Sequence, residues 1–180
     1  KLDDSARAKL AAVDSTWIEV RALLTAAPSA SGAKALYDST AALDQASQHL
    51  VMAINSRGPE ESRRLILASR MRMLSQRIAM HYLYRASGLM TPNAPQMELS
   101  YARSEFAANL SRSTQNNAFP AETREAVARL AGLWPAYQDA AGKTGEPVAM
   151  LKNAPAVMEM SEQVLGATDK VVGTLLAPAR

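Results

Sequence analysis

The chain has 180 residues, with 20 basic and 17 acidic side chains, so its formal charge is only +3. A surplus that small and that evenly spread does not point to nucleic acid as a partner. Thirty-five alanines and 20 leucines, against 5% aromatic residues, argue against a sandwich or barrel and for an all-α, water-soluble bundle.

Proline, glycine and small polar residues divide the chain into six helical segments. The first is expected from about Asp3 to Thr25, with Asp3, Asp4 or Ser5 as its cap, and stops at Pro28-Ser29-Ala30-Ser31-Gly32. The second runs from Ala33 to Asn55 and carries Leu36, Leu43 and Leu50 at the seven-residue spacing of a packed seam. Arg57-Gly58-Pro59 breaks the chain, and Glu60 and Glu61 then suit the positive end of a third helix, Pro59 to Ser87, closed by Gly88. After Thr91-Pro92-Asn93-Ala94-Pro95 comes a fourth, Gln96 to Ser113. A fifth follows Asn116-Asn117-Ala118-Phe119-Pro120 and ends near Gly142-Lys143-Thr144-Gly145. The sixth runs from Pro147 to Leu176. Pro135 and Pro155 fall inside helical patterns and are expected to kink them or to mark their true starts.

Residues 11–54 resemble 131–174 in layout. Trp17 matches Trp134, and the seam Leu36, Leu43, Leu50 matches Leu151, Met158, Leu165. The expectation is a hairpin over residues 1–57, a partial first copy of the module, followed by an up-and-down four-helix bundle over residues 58–180. The two tryptophans would then occupy equivalent core positions.

The third helix holds most of the information. Leu67, Met71, Leu74 and Ile78 form one apolar face, and Ile66, Met73, Met80 and Tyr84 a second. Arg63, Arg70 and Arg77, seven apart with His81 beside them, form a basic line that is expected to be a solvated edge. Arg72 projects from another sector with Leu65, Ala68, Ala79 and Leu83, near Ser69 and Gln76. An arginine there is costly to bury unless an anion or acid pairs with it; otherwise its stem lies along the surface and its head reaches water. A helix apolar on more than one side also suggests a second copy packed across it, or cover from the amino-terminal pair.

The run Arg72-Met73-Leu74-Ser75-Gln76-Arg77, followed by Ile78-Ala79 and Tyr82-Leu83, resembles the signature of the PilJ-type sensor family. These are extracytoplasmic domains of type IV pilus chemoreceptors, related to nitrate/nitrite sensor domains of the NarX type. The likeness covers roughly residues 60–176, including Trp134 and the closing Asp169-Lys170-Val171-Val172. Here Ala68-Ser69-Arg70-Met71 stands where the family has Ala-Gly-Arg-Gln or Ala-Gly-Ser-Leu. The resemblance implies a periplasmic four-helix bundle that dimerises through the 59–87 helix and senses a small anion such as nitrate or nitrite. Arg72 is then the principal contact, with Ser69 and Gln76 as further donors and Arg77 in a lesser or structural role. A planar guanidinium fork suits a planar oxyanion. The competing expectation is a structural or partner-binding helical module without a small ligand.

Enzyme readings find little. There is no glycine-rich phosphate loop and no cysteine, and His49 and His81 lie far apart. Glu159 and Glu162 read as a solvated face, and the nine methionines as core filler. No cofactor or metal is expected. No uncharged run exceeds 12 residues, so membrane attachment is expected only through segments outside this chain.

Overall fold

The computed structural model describes residues 3–55, 60–89 and 93–177. Among them there are six helices and no strand: α1 (Asp4–Thr25), α2 (Ala30–Asn55), α3 (Glu60–Ser87), α4 (Asn93–Thr114), α5 (Ala121–Gly142) and α6 (Pro147–Leu176). The breaks expected at Arg57-Gly58-Pro59 and Thr91-Pro92 lie outside the described residues. The chain divides into two compact units, Lys1–Arg63 and Arg64–Arg180, so the division falls six residues beyond the expected 57/58 boundary.

The first unit is the helical hairpin α1–α2. Asp3 caps α1, its Oδ1 accepting from the Ala6 amide at 2.8 Å. α2 starts at Ala30 and not at Ala33, because Ser29 is its cap: the Ser29 Oγ accepts from Gly32 N at 2.9 Å. Two helices alone share one face. Among the described residues only Ala6, Val20 and Tyr37 are buried there, and the seam leucines 36, 43 and 50 are half-buried.

The second unit is an up-and-down bundle of α3–α6, and its cross-links fix the directions. Arg70 of α3 meets Glu105 of α4, and Arg77, seven residues on, meets Glu98, seven residues back, so the two helices are antiparallel. Asn153 to Ala140 and Lys170 to Glu122 give the same sense for α5 and α6. The core repeats at steps of three and four: Met71, Leu74, Ile78 and Tyr82 on α3; Leu99, Ala102 and Phe106 on α4; Val127, Leu130, Trp134 and Tyr137 on α5. On α6 the buried heptad is Met150, Val157, Val164 and Val171. This corrects the expected seam by one residue, since Leu151 and Met158 are exposed.

The tryptophan equivalence fails as well. Trp134 is 7% exposed, stacked on Phe106 at 4.4 Å between ring centroids and edge-on to Tyr137 at 6.0 Å. Trp17 is 46% exposed. A core tryptophan needs cover from several helices, which a hairpin does not supply. α5 and α6 run through Pro135 and Pro155, both on exposed faces where water can serve the carbonyl left without its amide donor.

Buried polar groups tie α3 to the α5–α6 turn. The Tyr82 hydroxyl accepts from Asn153 Nδ2 at 2.9 Å and shares its proton between the carbonyls of Lys143 (3.1 Å) and Met150 (3.3 Å). The Tyr137 hydroxyl donates to the Ser75 carbonyl at 2.5 Å, and burial pushes this phenol's pKa up.

Candidate functional site

α3 displays its arginines on two very different faces. The 70/77 line is not a solvated edge. Arg70 and Arg77 are 19% and 17% exposed and are held by Glu105 and Glu98 of α4, at 2.7 Å and 2.8 Å. Their spacing of seven keeps both over the same neighbouring helix, and α4 answers with two glutamates at the same spacing. His81, one turn beyond Arg77, is buried, and desolvation together with the Arg77 charge lowers its pKa to about 4. The imidazole is therefore neutral at pH 7.

Arg72 lies five residues from Arg77, hence about 140° around the helix. Among Leu65, Ala68, Ala79 and Leu83 both paired burial and a head that reaches water were open to it, and the structure shows the second. Ala68 and Ala79 are buried, but the Arg72 side chain is 56% exposed, its head turned to the edge of α3 that faces α6. There its Nε donates to Oδ1 of Asp169, itself 49% exposed. Three methylenes on the stem let the guanidinium leave an apolar sector without being desolvated.

Ser69 and Gln76 stand three residues before and four after Arg72, so helical spacing puts all three on one edge. Ser69 is exposed. Gln76 is half-buried and reaches α6, with Nε2 donating to the Ser161 carbonyl at 3.3 Å. Helical spacing thus sets Ser69, Arg72 and Gln76 on one edge of α3, where Arg72 and Gln76 meet α6, and Arg77 lies apart on the α4 side. Such an edge offers one guanidinium, one amide and one hydroxyl, all hydrogen-bond donors, in contact with water. It suits a small anion, and the carboxylate of Asp169 lies on the same edge.

Asp169 is the residue that sequence reasoning missed at this edge. Its signal was available: α6 carries three carboxylates, Glu159, Glu162 and Asp169, and an antiparallel neighbour of α3 must bring one of them near Arg72. Glu98 and Glu105 were legible in the same way. Among the described residues no group of three or more His, Cys, Asp or Glu side chains is placed to hold a metal, and no helix is long and apolar enough to cross a membrane. No protein-family model, curated protein or solved structure matches this chain.

Proposed function

We propose that this chain is a ligand-sensing domain that binds a small planar oxyanion of the nitrate, nitrite or carboxylate kind at Arg72, in an extracytoplasmic bacterial receptor or exported binding protein. The observation that carries this reading is the division of labour on α3. Within the run that resembles the sensor signature, Arg77 is engaged by Glu98 under cover, whereas Arg72 keeps its guanidinium at the surface beside Ser69 and Gln76. The periplasmic setting rests on the resemblance alone. A homodimer across α3 belongs to the same proposal. Two symmetry-related Arg72 side chains repel, and an anion between them relieves that repulsion and couples binding to dimer geometry.

Calorimetric titration with nitrate, nitrite and acetate tests it. Arg72→Ala should lower affinity about ten- to a hundredfold, the loss of a charge-assisted contact. Arg72→Lys should recover only part, because an ammonium lacks the fork. A wild-type chain that binds none of the three overturns the reading.

A second reading, a helical module that docks a protein partner, has its own observation. Trp17, Ile18, Leu24, Met52 and Ile54 of the hairpin are exposed, and these are costly residues to leave in water. Light scattering across a concentration series separates the two: a strict monomer that binds no anion favours the partner-docking module.

A further inference from the structure

We infer that Asp169 is a built-in competitor for the ligand arginine, so that an anion binds by exchange with this carboxylate and not by simple addition. The inference rests on the proposed role of Arg72. Arg72 Nε donates to Asp169 Oδ1 across the α3–α6 edge, and both side chains remain about half exposed. Water and dissolved ions therefore reach the pair from outside. The carboxylate of Asp169 is itself a planar oxyanion, and it occupies the edge of the guanidinium that a nitrate, nitrite or free carboxylate needs. The pair is thus a sample of the ligand class the arginine accepts, supplied by the protein.

Exposure sets how strongly Asp169 competes. Solvent-exposed ion pairs are weak, so the open state, with Arg72 unoccupied, is well populated and an external anion is not shut out. Occupancy then has a structural consequence. The Arg72–Asp169 pair fastens α3 to α6 at this edge, where the neighbouring tie is the long Gln76 to Ser161 hydrogen bond at 3.3 Å. An anion on Arg72 frees Asp169 and loosens α6 from α3 at that level. Binding at one helix is thereby conveyed to the last helix of the bundle through a side-chain exchange.

Calorimetry on five chains tests this: wild type, Asp169→Asn, Asp169→Ala, Arg72→Ala and Glu162→Gln. Glu162 lies two turns earlier on α6 and makes no ion pair among the described residues, so it reports the general effect of removing one negative charge. Asp169→Asn should raise nitrate, nitrite or acetate affinity roughly two- to fivefold. Glu162→Gln should change it by clearly less, and Asp169→Ala should agree in sign with Asp169→Asn. If Arg72→Ala abolishes binding while Asp169→Asn binds no tighter than wild type, the inference falls and the proposed site stands. An equal gain from Glu162→Gln also overturns it, since the effect is then a diffuse field. If neither wild type nor Asp169→Asn binds any of the three anions, or if Arg72→Ala binds as wild type does, reading and inference fall together.

Discussion

The Arg70 guanidinium forks onto Glu105, Nε to Oε1 at 2.7 Å and Nη2 to Oε2 at 2.9 Å, with both side chains about four-fifths covered. A two-pronged pair under cover differs in kind from the single-pronged, exposed Arg72–Asp169 pair. Removing one member of the covered pair leaves a charge that water reaches poorly, so Glu105→Ala or Arg70→Ala should cost about 2 kcal/mol. Asp169→Ala should cost less than about 1 kcal/mol, since water replaces the lost partner. Urea unfolding of the three variants checks the contrast; equal losses from both pairs would contradict the burial argument.

His81 gives the bundle an acid-sensitive element. Its folded pKa is lowered to about 4, against 6.5 for an ordinary histidine. Below pH 6.5 the unfolded chain takes up a proton at this position while the native chain does not, so protonation favours unfolding. The stabilisation is fully present above about pH 6.5 and drains away as pH falls toward 4. The separation of the two values corresponds to a loss on the order of 3 kcal/mol. His81→Gln, which does not titrate, should lose less stability than wild type between pH 7.5 and pH 4 in parallel urea titrations. Identical slopes for the two chains would mean that another group governs the acid limb.

Gly88 closes α3 with φ at +65°, a conformation that costs any residue with a β-carbon. No heavy atom lies within 4 Å of where that carbon would stand, so the penalty of Gly88→Ala is one of backbone alone, about 1 kcal/mol. Gly88→Asn should cost less, because asparagine tolerates this region better. Gly132 is the natural control: it sits inside α5 with open space around it and no positive φ. Gly132→Ala should stabilise by up to about 1 kcal/mol. Opposite signs for two glycine-to-alanine changes, read as shifts in thermal midpoint, are the expected result.

The fold was legible where the chain is punctuated. Pro147 opens α6, Gly88 ends α3 and Asp3 caps α1, each where its backbone chemistry requires. It was less legible where two adjacent heptads are both apolar. On α6 the larger Leu151 and Met158 looked like the seam, while Met150 and Val157 are buried. A wheel shows which residues share a face and not which neighbour that face meets. The arginines illustrate this limit. A line of charges at spacing seven reads as a solvated edge until the partner helix is known to carry Glu98 and Glu105 in register. Arg72, for which burial and a head in water were both open, takes the second along its own flexible stem. Its nearness to Ser69 and Gln76 followed from spacing alone; that this edge meets α6, and Asp169 on it, required the antiparallel register of α6.

Trp17 reports on the hairpin and Trp134 on the bundle, each by itself. Trp134 is stacked on Phe106 and edge-on to Tyr137, and truncation there removes an indole from a close-packed core. Trp134→Ala should therefore cost about 3–5 kcal/mol, while Trp17→Ala should cost less than about 1 kcal/mol. Single-tryptophan chains add a spectroscopic readout. With Trp17→Phe, the remaining Trp134 should emit at short wavelength and resist iodide quenching. With Trp134→Phe, the remaining Trp17 should emit near the wavelength of indole in water and be quenched readily. If Trp17 is instead protected at high protein concentration and becomes accessible on dilution, a second copy covers the hairpin, and the partner-docking reading gains at the expense of a free hairpin surface.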